Sequence, residues 1–320
     1  MVLGYIYLFL VILTGLTKGF CGKKTSGYTQ KFKDAFFINA IRMIICVLIG
    51  FILTAIIDGF DAFILPFPAF INGILSGLFT AIFAVTWLIS VKNSAYMFID
   101  VILTFSTLIP IILSVIFFNE SVHYFQVIGI ILLIIAVIIM ATYNNSVKKE
   151  KLNLKSIILL IICGLTQGLV HFTQKYYTNV FSNYSVYSFN FYTYLSSAIV
   201  LITLFFITDF KSKNISQNKI ENTNFSKEKT ANYYISLLKN IFIYVIIMAV
   251  CLFLHSIFAT LASSILPSTL QYPMQQGLVL VLSLIMSAVF FKEKVTFKSV
   301  ISIILTFIAL IFINVLPSVI

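Results

Sequence analysis

The sequence predicts an all-α polytopic membrane protein, with ten transmembrane helices arranged as two inverted five-helix repeats. Three observations carry that prediction: the composition, the placement of Lys and Arg, and a similarity between the two halves of the chain. Of 320 residues, 60% are hydrophobic and only 10% are charged, and the mean hydropathy is +1.07. A water-facing surface needs roughly 25% charged residues, so a soluble enzyme is excluded. A helix crossing a bilayer uses about 20 apolar residues, and the unbroken apolar blocks amount to about ten such units. The net charge of +11 lies beside apolar spans, where it reads as Lys-rich cytoplasmic loops, and no nucleic-acid partner is expected.

Apolar runs between polar breaks place the ten helices near 2–20, 35–57, 69–91, 95–118, 124–143, 156–177, 185–208, 238–262, 268–291 and 297–316. Runs this long, without period-2 alternation, satisfy their own backbone hydrogen bonds in lipid; a barrel would alternate over segments of about ten residues. The first, from Val2 to Phe20, has no Lys or Arg ahead of it and no A-x-A site after it, so it reads as a retained span and not as a signal peptide. The fourth contains Asp100, a carboxylate well inside a span. The stretch 209–236 between the seventh and eighth is rich in Lys, Asn and Ser and reads as a disordered or weakly helical loop. The ninth opens with Pro267, Pro273 and three Gln residues, and Pro273 would leave the carbonyl of Thr269 free for a cavity water or solute. Cys21, Cys46, Cys163 and Cys251 are widely spaced with no CxxC, and read as small packing residues.

Ten spans assign every loop to one of two sides, and the charges then test the count. Twenty of the twenty-one Lys and Arg residues fall toward the loops after spans 1, 3, 5, 7 and 9, leaving Lys175 alone on the other side. By the positive-inside rule those loops are cytoplasmic and both termini face outward. The expected location is the cytoplasmic (inner) membrane of a bacterium.

Self-comparison aligns Gly15-Leu16-Thr17-Lys18-Gly19 with Gly164-Leu165-Thr166-Gln167-Gly168, then Lys24 with Lys175 and Asn39 with Asn190. Phe117-Phe118-Asn119-Glu120 after span 4 matches Phe290-Phe291-Lys292-Glu293 after span 9. The order of these matches divides the chain into residues 1–145 and 146–320, with 209–236 inserted in the second half. An odd number of spans per half inverts the second copy, an arrangement that places a solute site between the halves and permits alternating access.

These features together resemble the drug/metabolite transporter superfamily, in particular its EamA-like members. The resemblance rests on the ten spans, the small-residue pattern of the first helix in each half, Arg42 early in span 2, and Glu120 and Glu293 after spans 4 and 9. It implies a secondary transporter, an exporter or exchanger, of small organic metabolites or drugs. In the second half Thr193 stands where Arg42 aligns, so a role that needs Arg in both halves does not carry over.

Polar groups inside a span are costly, on the order of 2.5–3.5 kcal/mol for a central Asp, Lys or Arg, and so mark aqueous cavities. The candidates for binding or coupling are Lys18, Asn39, Arg42 and Asp100 toward the cytoplasmic side, and His171, His255, Gln271 and Gln275 toward the outer side, with Gln167 and Asn190 the repeat partners of Lys18 and Asn39. Asp100 could carry a coupling proton or neutralise Lys18 or Arg42. Arg42 and Lys18 could hold an anionic group or reach the headgroups. Trp87, Tyr192 and Tyr194 could stack a ring or anchor the interface. Glu120 and Glu293 read as fixing hairpins. Gly73 and Gly77, like the paired glycines of spans 1 and 6, form small-residue packing faces, within the chain or in a homodimer.

No cofactor or metal is expected, and no ATP-binding loop appears. A membrane-embedded lipid enzyme would need a catalytic cluster such as HExxH or GxSxG, and a channel would need a repeated filter or a ring of charge; neither pattern is present in the sequence.

Overall fold

The computed structural model describes residues 2–94, 96–120, 123–148, 154–217 and 223–314, and among these it contains helices and turns but no strand. The helices are α1 (Val2–Ser26), α2 (Phe32–Ile57), α3 (Phe67–Asn93), α4 (Tyr96–Phe105), α5 (Leu108–Phe118), α6 (Tyr124–Lys148), α7 (Leu154–Val180), α8 (Val186–Gln217), α9 (Thr223–Ser263), α10 (Ser268–Phe290) and α11 (Phe297–Asn314). Among the described residues, eight stretches are long and apolar enough to cross a membrane, one of them formed by α4 and α5 together; α6 and α11 supply two shorter apolar segments.

Two departures from expectation have local causes. The fourth span breaks at Ser106 and Thr107, because Pro110 lacks the N–H that would bond Ser106 O, and proline sits more comfortably in a first helical turn. Pro273, by contrast, lies inside an unbroken α10. In the stretch 209–236, expected to be a disordered or weakly helical loop, the described residues are helical: α8 runs on to Gln217 and α9 starts at Thr223, with residues 218–222 outside the described part. A helix keeps its own backbone bonds in water as in lipid. The early turns of α9 are held by Tyr233 and Tyr234, whose hydroxyls donate to the Asp34 carboxylate at the start of α2.

Packing joins the halves through matched contacts. α1 lies on α9 as α3 lies on α7, α3 on α8 as α2 on α9, and α10 on α11 as α4 on α6, while α2–α8, α4–α10 and α6–α11 pair with their own counterparts. Exchanging α1–α6 for α7–α11 therefore reproduces the principal contacts. Direction follows from the ends. Gly4 in the first turn of α1 lies against Leu266 after α9, and Lys175 near the end of α7 bonds Leu266 O. α1 and its counterpart α7 thus run in opposite directions.

The surface is inverted relative to a water-soluble protein. Phe9, Leu48, Ile56, Ile138, Ile243 and Val289 are exposed, while Asn39, Ser76, Thr104, Ser197, Gln271 and Thr306 are fully buried. Such a shell suits lipid, and the interior is tied by hydrogen bonds between helices. Asn39 Nδ2 donates to Ala84 O of α3, and at the equivalent place Ser256 of α9 donates to Asn190 Oδ1 of α8.

Candidate functional site

A cavity lies between the halves, lined from α1 by Gly15, Lys18 and Gly19, from α2 by Arg42, from α3 by Phe83, Ala84 and Trp87, and from α4 by Tyr96, Asp100 and Leu103. The second half supplies Gln167 of α7, Leu252 and His255 of α9, and Gln275, Gln276 and Val279 of α10. About 50 Å³ of it is open to the centre of a water molecule. One water needs roughly 10–15 Å³ on that measure, so the space holds a few waters.

The small residues of α1 create this space. A Cβ on Gly19 would collide with the Tyr96 hydroxyl, and one on Gly15 would lie 3.2 Å from His255 Nδ1. The same Gly15–Gly19 spacing puts Lys18 on the cavity side. His255 Nδ1 lies 3.0 Å from Val11 O, a contact that calls for the proton on Nδ1. Gln167 Oε1 accepts from Ser106 Oγ at 3.3 Å, so the break between α4 and α5 provides a donor to the cavity wall.

Charge is the distinctive feature. Lys18, Arg42 and Asp100 face one cavity, yet none of the three forms an ion pair within the described residues. Arg42 Nε and Asp100 Oδ2 are buried without a hydrogen-bond partner. Arg42 and Asp100 are 3% and 5% exposed. Burying such polar atoms unpaired is costly, and they persist where a ligand or water can satisfy them.

Six of the ten residues singled out from the sequence thus line one cavity: Lys18, Arg42, Asp100, Gln167, His255 and Gln275. The other four lie elsewhere. Asn39 and Asn190 are spent on the helix ties described above. Gln271 Nε2 donates to Ala259 O at 2.8 Å, clasping α10 to α9. His171 packs against Tyr272 with the rings tilted by 38° and their centroids 4.8 Å apart; its carbonyl accepts the Tyr272 hydroxyl, and its Nε2 lies 3.4 Å from Nε2 of the cavity-lining Gln167. Of the aromatic candidates only Trp87 reaches the cavity; Tyr194 donates to Leu252 O and Tyr192 to Phe63 O. Tyr96 and Phe83 were not legible as site residues, although Tyr96 stands one helical turn before Asp100 and so shares its face.

A second cleft, about 170 Å³ by the same measure, lies between α5, α6 and α11 and is lined by Ile111, Ile112, Val115, Ile116, Gln126, Ile130 and Ile313. Its one polar side chain is already engaged, since Gln126 accepts from His123 N and donates to Ile313 O. It lacks the charges that would orient a polar solute.

The sequence profile of the EamA-like transporter family matches this chain twice, over residues 2–142 and 154–315. The chain belongs to the EamA-like transporter family. It is accordingly a membrane transporter of the drug/metabolite type, and the double match agrees with the paired helix contacts. One solved crystal structure superposes on this EamA-like chain with a TM-score of 0.64 at 11% identity, covering 98% of this chain and 96% of that one. At that identity the likeness is one of fold. No curated protein matches the sequence.

Proposed function

We propose that this chain is a ten-span secondary transporter whose inverted halves, divided between α6 and α7, alternately expose the central cavity to the two sides of the membrane. The solute is a small organic molecule carrying a carboxylate or phosphate. The observation that carries this reading is the cavity itself, built by both halves and holding two cations against one carboxylate. Arg42 offers the planar fork that grips an oxyanion by two parallel bonds, and Lys18 adds a point charge. Phe83, Trp87 and Tyr96 provide the apolar wall. A typical pocket for a drug-sized ligand measures about 300–1,000 Å³, so the present shape is a contracted state that widens to admit solute.

Asp100 is the coupling group in this reading, exchanging a proton as the cavity changes sides. The Lys-rich loops face the cytoplasm, both termini face outward, and a reporter fused after Ile320 is expected to read as external. A thermal-shift panel of carboxylates, phosphorylated metabolites, zwitterions and organic cations tests the solute class. Stabilisation by anion-bearing compounds in the wild type, weakened about 10-fold or more in Arg42→Met, is expected, since hydrogen bonds to charged groups contribute about 1.5–3 kcal/mol. A response confined to organic cations refutes the assignment. Counterflow of the stabilising compound in proteoliposomes then separates a carrier from a channel.

A further inference from the structure

Among the described residues, one ion pair ties the two halves at each end of the bundle. Lys23 Nζ of α1 lies 3.5 Å from Glu293 Oε1, just beyond α10. The same ammonium donates to Val91 O in the last turn of α3 at 3.0 Å, and Glu293 Oε1 accepts the N–H of Tyr96 at the start of α4. At the opposite end Lys175 Nζ of α7 lies 3.8 Å from Glu120 Oε1, just beyond α5. It also donates to Ser263 O and Leu266 O at the end of α9, both at 3.1 Å.

Each element of one arrangement has its counterpart in the other: α1 and α7 carry the lysines, α3 and α9 the carbonyls, α10 and α5 the glutamates. Lys175 is therefore matched by Lys23, one residue from the Lys24 that sequence alignment suggested. The turns that deliver the two glutamates also match. Asn119 and Lys292, each just before its glutamate, have φ of 53° and 52° and are the only non-glycine residues with positive φ among those described. Side-chain exposure is 16% and 11% in the first pair and 7% and 19% in the second, so opening either pair requires water to enter.

Both pairs cross from one half to the other. Lys23 belongs to the first half and Glu293 to the second, whereas Lys175 belongs to the second and Glu120 to the first. Parting the halves at one end breaks one pair and spares the other. We propose that Lys23–Glu293 and Lys175–Glu120 are the two gates of the transport cycle, opened in turn, and that this structure has both shut around the contracted cavity. Tyr96 joins the first gate to the cavity, its N–H on Glu293 and its ring in the wall beside Asp100. This inference rests on the alternating-access reading.

The test is pulsed electron resonance on the full chain in nanodiscs, with the four native cysteines replaced. One pair of spin labels, Tyr28→Cys with Phe297→Cys, spans the Lys23 end, and another, Phe60→Cys with Ile265→Cys, spans the Lys175 end. Glu293→Gln is expected to add a longer-distance population at the first pair and none at the second, and Glu120→Gln to do the reverse. Exchanging the charges, Lys23→Glu with Glu293→Lys, is expected to remove the longer population. Where Glu293→Gln does not fold, Lys23→Gln breaks the same pair and predicts the same end-specific change. Widening at both ends in one variant, no widening at either, or failure of the exchange to restore the short distance overturns the gates. The thermal-shift panel reads the cavity independently. End-specific widening with no solute response refutes the solute reading alone, and solute response without it refutes the gates alone.

Discussion

The glycine-lined helix contacts make a graded prediction in which sequence offers no ranking. Gly73, Gly77 and Gly164 all sit in small-residue patterns, but the space beside them differs. A Cβ on Gly77 would meet Thr193 O at 2.3 Å and Ser196 Cβ at 2.7 Å; on Gly73 it would meet Tyr192 Cβ at 3.2 Å; on Gly164 its nearest neighbours would lie at an ordinary 3.8 Å. Replacing Gly by Ala inside a helix favours the helix by up to about 1 kcal/mol, and that gain survives only where the methyl fits. Gly164→Ala is therefore expected to be neutral or stabilising, and Gly73→Ala close to neutral. At Gly77 the obstacle is the backbone of α8, which must move by about 1 Å to reach normal contact. Overpacking of this kind costs about 1–3 kcal/mol, which outweighs the propensity gain. Thermal unfolding of the three variants in one detergent checks the order, with Gly77→Ala expected to melt several degrees below the wild type. Equal melting of Gly77→Ala and Gly164→Ala would refute the close approach of α3 and α8.

Asp100→Asn is expected to flatten the pH dependence of counterflow while the protein still inserts; an unchanged profile removes Asp100 from coupling. Gln275→Leu should weaken solute binding with little effect on melting, whereas Gln271→Leu should cost about 0.6 kcal/mol, the average for a hydrogen bond between membrane helices, and leave affinity intact. Asn tolerates the left-handed region better than Lys, so Lys292→Asn is expected to raise the melting temperature and Asn119→Ala to lower it, each by an amount on the order of 1 kcal/mol. Melting curves that move the other way would place the strain elsewhere.

Helix existence was legible because it depends on composition averaged over about 20 residues. The finer geometry was not. The break at Ser106 lies in a run as apolar as its neighbours, and only Pro110 betrays it. The helical ends of α8 and α9 were read only as a disordered or weakly helical loop, because apolarity reports lipid contact and does not report how far a helix continues beyond it. Among the candidate residues, polarity identified groups that need partners, but the partner is set by rotation about the helix axis. Asn39 and Arg42 lie three residues apart on α2, yet Asn39 turns to Ala84 O while Arg42 faces the cavity. The gates were hidden for a related reason. Glu120 and Glu293 were visible as repeated turn residues, but each finds its lysine in the opposite half, a pairing that no local spacing encodes.

The break between α4 and α5 has no equal in α10, which passes through Pro273 unbroken. In the alternating-access reading proposed above, identical halves would give the two opposite-facing states the same energy. Unequal halves remove that degeneracy. A difference of only about 1.4 kcal/mol is a tenfold preference, enough in that reading to give the empty carrier a resting side.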